Sequence, residues 1–180
     1  MITSESMRSR LPDPLFDTKR VAGLSQDDRA LIEAGWIVGP QGGLLLRWGS
    51  RCFLGERVLP RDEARESLGD DEYEVNDIHV DIRDLGPPSE EYLRAAIQRG
   101  LTIAMALLSS AAGLPGSETL TAVVGMPCDL EDELAPLQSP NLRFFTRRGR
   151  YPAFYLDGGH LARFACEAVA VLEISDLPVT

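Results

Sequence analysis

Three residues whose types suit a metal site or a general base stand at alternate positions of one stretch: Asp77, His79 and Asp81. Alternate side chains of a strand share a face about 6 to 7 Å apart, so two carboxylates would flank one imidazole. Such a set could hold a divalent ion for a metal-dependent hydrolase. A metal site also needs a ligand from another element, and the only other histidine, His160, lies in a different context, Asp157-Gly158-Gly159-His160. Between the three, Ile78, Val80 and Ile82 are apolar, the period-two pattern of a strand wet on one face. The plainer reading is a solvated polar face, so we expect no metal, no other cofactor and no catalytic residue.

The remaining candidates are bland by the same comparison. Asp157-Gly158-Gly159-His160 sits at a strand-to-helix junction where free backbone N–H groups could hold an anion, yet neither glycine-rich phosphate motif surrounds it. Cys128 is followed by Asp129, Glu131, Asp132 and Glu133, and negative neighbours suppress a thiolate. Cys52, Cys128 and Cys166 form no C-x-x-C pair and are odd in number, which fits reduced core thiols of a cytoplasmic protein. No G-x-S-x-G elbow is present.

Charge carries more information. Over 180 residues, 28 acidic side chains oppose 18 basic ones, leaving a formal charge of -10. Phosphate backbones and anionic membrane surfaces repel such a molecule, whereas a basic protein is steered toward it. No signal-type or membrane-spanning run stands out, the most apolar stretch, residues 101–114, being too short to cross a bilayer. The acids cluster at Asp70, Asp71, Glu72, Glu74 and Asp77, and again at residues 129–133. Arg143, Arg147, Arg148 and Arg150 interleave with Phe144, Phe145 and Tyr151, and arginines and aromatics are the types that anchor interfaces. The expected partner-binding residues are therefore Asp70, Asp71, Glu72, Glu74, Asp77, Arg147, Arg148 and Tyr151.

The elements that must position them follow from local signals. Residues 1–20 mix Ser, Arg, Asp and Pro without period and are expected to form a flexible arm, with one domain over 21–180. Ser25 and Asp28 make a capping box for a helix that Gly35 stops. Residues 36–38 and 44–48 read as a hairpin, with 51–59 as a third strand. Residues 60–67 suggest a helical turn, 69–72 an acidic bend, and 73–83 the alternating strand. A long helix starts after Ser89 and ends near Gly113 and Pro115. Strands follow near 120–124, 142–146 and 153–156, and a last helix is expected from Gly159 to about Ile174. The sum is an α+β fold: an antiparallel sheet of about six to seven strands, with two to three helices packed on one face.

Leu31-Ile32-Glu33-Ala34-Gly35-Trp36 and Gly42-Gly43-Leu44-Leu45-Leu46-Arg47-Trp48, a helix leading into an aromatic-rich hairpin, resemble stretches of actinobacterial toxin immunity families. Size, acidity and α+β make-up resemble them in type. The resemblance implies a non-enzymatic antitoxin that binds and occludes a cognate, basic toxin domain, and it transfers no family residue to a position here. The alternatives are a secretion-chaperone-like protein clasping an extended segment, and the hydrolase of Asp77, His79 and Asp81.

Overall fold

The computed structural model describes residues 1–11, 23–39, 42–47, 64–132, 138–148, 161–164 and 166–177, with backbone alone at 64–67 and 70. The expected strands at 51–59 and 153–156, the 157–160 junction, Cys52 and Tyr151 lie outside these residues. In chain order the elements are β1 (Ile2–Thr3), α1 (Glu5–Arg10), α2 (Gln26–Ala34), β2 (Trp36–Val38), β3 (Leu44–Leu46), α3 (Ala64–Val75), β4 (Asp77–His79), α4 (Glu90–Ala111), β5 (Leu120–Pro127), β6 (Asn141–Thr146) and β7 (Glu167–Glu173). The fold is α+β. Five antiparallel strands in the order β1-β7-β5-β6-β4 make the main sheet, and β2 and β3 form a separate hairpin sheet.

Burial against α4 closes one face of the main sheet. Leu120, Ala122, Val124 and Met126 of β5, Leu142 and Phe144 of β6, and Ala168, Ala170 and Leu172 of β7 share one core with Leu93, Ile97, Leu101, Ala104 and Leu108 of α4. Those α4 residues recur every three or four positions, so a single stripe faces the sheet. Ser89 caps the helix by accepting from the Tyr92 amide, with Glu90 and Glu91 in the positive first turn. At Gly100 the helix comes so close to the sheet that an added Cβ would lie 3.0 Å from Pro140 Cβ and 3.4 Å from Val124 Cγ1. Among the described residues no helix is long and apolar enough to cross a membrane.

The expected helix starts are present: Ser25 and Asp28 complete their capping box, and Gly35 ends α2 at a φ of 62°. Three expectations need correction. Residues 2–10 of the supposed arm are structured, because β1 pairs with β7 and Met7 of α1 is buried in the core. Residues 69–75, read as an acidic bend and the start of a strand, belong to α3, and the strand is confined to β4. The supposed last helix is, over residues 167–173, the strand β7, whose residues 168–172 are all buried. A strand covered on both faces shows no alternation, so a run of Ala, Val and Leu mimics a helix.

Arg99, buried on α4, fixes the connection from β4 to α4. Its Nη1 and Nη2 donate to the Asp84 carboxylate at 2.6 and 2.7 Å, and Nη1 also donates to the Asp81 carbonyl at 2.8 Å. The Arg99 guanidinium holds the Asp84 carboxyl below its usual range, against the smaller opposing effect of desolvation. Because the folded state takes up that proton at lower pH than the unfolded chain, the contribution is complete above the unfolded value of about 3.9 and is lost as pH falls through the folded one. Asp84→Asn should therefore lower the urea midpoint at pH 7, and the difference from wild type should shrink as pH falls below about 3.9. Gly100→Leu should overpack the helix against Pro140 and Val124, costing about 1–3 kcal/mol or more in denaturant unfolding.

Candidate functional site

The register of the main sheet builds the site on its second face, away from α4. Asp77, Arg143, Val123, Val171 and Ile2 form one row across the five strands; His79, Asn141, Gly125 and Val169 form the next. Val123, Phe145, Val169 and Val171 pack with Leu161 and Phe164 into a small second core, joined by Tyr73 of α3. Gly125 interrupts this surface. Its neighbours across the ladder are Asn141 and Val169, and a Cβ added there meets no heavy atom within 4 Å. The bare backbone of Gly125 lies in a cavity of about 280 Å³, lined also by Val123 and Val169 and by Tyr73, Phe164 and Glu167.

A polar array forms one wall. Asp77 accepts from Asn141 Nδ2 at 2.6 Å and from Arg143 Nη2 at 3.1 Å. The Arg143 guanidinium stands 4.6 Å from the Tyr73 ring centroid, a cation–π distance. Burial works against the Arg143 charge, but Tyr73 and Asp77 outweigh it and raise its pKa. His79 is exposed, 3.4 Å from Asn141 Nδ2.

The structure does not bring the three chemistry-bearing residues together. Asp77 faces Arg143, whereas Asp81 lies beyond β4 and binds Arg83 through both carboxylate oxygens, with Nη2 at 2.5 Å. Hydrogen bonds from the Arg83 side chain and backbone hold the Asp81 carboxyl far below its usual range. Among the described residues no three His, Cys, Asp or Glu side chains are grouped to hold a metal. Cys128 is buried with its thiol on the Met126 carbonyl, but Cys166, expected in the core, is exposed in the turn before β7.

The expected docking residues divide. Glu72 is 0% exposed and cannot touch a partner in this state. Its carboxylate accepts from the Leu44 amide at 2.8 Å, the Thr146 amide at 2.6 Å and the Thr146 hydroxyl at 3.1 Å, and Arg148 Nη2 lies 3.2 Å away. Arg148 is thereby committed to Glu72 and, at 3.3 Å, to the Gly42 carbonyl. Arg147 pairs with Glu173 at 3.3 Å, and Asp77 with Arg143. Glu74 is exposed and Asp71 half-buried on α3, beside Tyr73; Asp70 lies on the same helix. The groove was not anticipated, although Gly125 within an apolar strand was a visible signal, since glycine in a strand often marks a bulge or a close approach of a ligand.

No family model, no curated protein and no solved structure matches the chain. The geometry alone therefore predicts how the acidic residues differ. Glu72→Ala should cost about 3–5 kcal/mol, because it strands Arg148 and buried backbone donors. Glu74→Ala should change stability by less than about 0.5 kcal/mol. Urea unfolding of the two variants at neutral pH distinguishes an internal brace from a surface charge.

Proposed function

We propose that the chain is a non-enzymatic protein-binding module of a reducing cytoplasm, acting as an immunity protein that binds and occludes a basic toxin domain. The observation that carries the reading is the groove on the second sheet face, where aromatic rings, an arginine and a carboxylate surround an apolar floor. Interfaces draw their anchors from these residue types and set them in pockets rimmed by polar groups. The net charge of -10 suits a cationic partner through faster encounter. The hydrolase alternative is not favoured, because Asp77 and Asp81 are each engaged by a different arginine.

The exposed Glu74 and the half-buried Asp71 of α3 supply steering in this reading, and Tyr73 on the same helix borders the groove. Against a basic toxin domain encoded beside this gene, surface plasmon resonance should show an association rate that falls as salt rises. Asp71→Lys with Glu74→Lys should slow association several-fold while leaving the melting temperature nearly unchanged. Co-expression should also relieve the toxin's growth inhibition. Neither binding nor relief with any such domain would sink the immunity reading.

A further inference from the structure

We infer that the Gly125 groove receives a single cationic side chain, Lys or Arg, of the protein partner; the inference rests on the protein-binding reading above. Size argues for one side chain. The cavity of about 280 Å³ falls below the roughly 300–1,000 Å³ of sites that bury drug-sized ligands.

Shape and chemistry suit an aliphatic stem with a charged tip. Val123, Val169 and the bare backbone of Gly125 offer an apolar floor, and Tyr73 and Phe164 present rings at its border. Long basic side chains bury their methylenes along such a surface while the head stays near water and near charge. Charge selects the sign. The Arg143 cation already faces Asp77 and lies over Tyr73, so these two charges compensate each other. The Glu167 carboxylate, opposite Pro127 on β5, lines the groove and makes no ion pair among the described residues. With Arg143 offset by Asp77 behind it, Glu167 is the uncompensated charge of the described lining in a protein of charge -10, which complements an ammonium or guanidinium and repels a carboxylate.

The decisive variant adds bulk without disrupting the fold. Gly125→Val places a β-branched residue in a strand, at a position where a Cβ meets nothing within 4 Å, so it should fill the groove and fold. Glu167→Gln removes the charge while leaving its backbone carbonyl, which accepts from Ser4 Oγ, in place. The probe is Nα-acetyl-arginine amide, with Nα-acetyl-glutamate amide as control, titrated into the ¹⁵N-labelled full chain. The arginine probe should shift the amide signals of Gly125 and Val169, saturating at a concentration on the order of millimolar. Gly125→Val should abolish the shift at Val169, and Glu167→Gln should weaken the probe about tenfold. Absent shifts, equal shifts with the glutamate probe, or an unaffected Gly125→Val variant overturn the inference. So does a wild-type dimer that Gly125→Val makes monomeric, since a second copy would then be the occupant. Because the titration needs no protein partner, it is independent of the immunity reading. Conversely, a toxin domain that binds Gly125→Val with an unchanged dissociation rate removes the groove from the interface and leaves that reading standing.

Discussion

The Glu72 carboxylate holds together two sheets that share no strand pairing. The outer edge of β6 is covered by β4 only at Asn141–Arg143, and beyond that the unpaired amide of Thr146 turns to Glu72. Asn76, four residues on, accepts from the Leu46 amide and donates to the carbonyls of Leu44 and Phe144. Two side chains, one in the last turn of α3 and one just past its end, thus replace the ladder that neither β3 nor β6 has there. An orphaned backbone donor in the interior costs more than a made bond gains, so these groups dictate where the hairpin can sit. Gly43 follows from that constraint: a Cβ there would come within 2.9 Å of Leu68 Cδ1. Once seated, the hairpin brings Trp36 edge-on to Phe144 with its indole N–H on the Leu107 carbonyl, joining α4 to the same assembly.

That arrangement explains which parts of the chain were legible. Capping boxes and hairpin strands are local, and so is the alternation of Ile78, Val80 and Ile82, whose Val80 and Ile82 are indeed buried. Beyond the helical turn expected at 60–67, helix α3 was not legible, because its inward flank passes from Leu68 to Glu72 and, just past its end, Asn76, and shows little apolar periodicity. The partners that bury Glu72 lie 28 and 74 residues away in sequence, so nothing nearby separates it from Glu74. In β7 the two faces serve two cores, and the strand loses the period that would announce it. Arg143 stands in the sequence among arginines and aromatics of the kind that anchor interfaces, yet its guanidinium is held by Asp77 across the ladder.

The two faces of the main sheet therefore do different work. Against α4 the side chains interdigitate, and Gly100 permits a close approach that leaves no room. On the opposite face another glycine, Gly125, lies open, with the Asp77–Arg143 row of the sheet beside it. The same residue type serves contact in one place and vacancy in the other.

The pairing of β1 with β7 has a consequence for assembly in time. Ile2 lies opposite Val171, so β1 waits until β7, far along the chain, has left the ribosome before it finds its neighbour. Until then β5, the central strand, has only β6 beside it and presents an unpaired edge. Folding governed by such distant contacts is slow compared with helix formation, and exposed strand edges invite association with other chains. In the interval between the synthesis of β6 and that of β7, that edge of β5 is the place where pairing with another chain competes with folding.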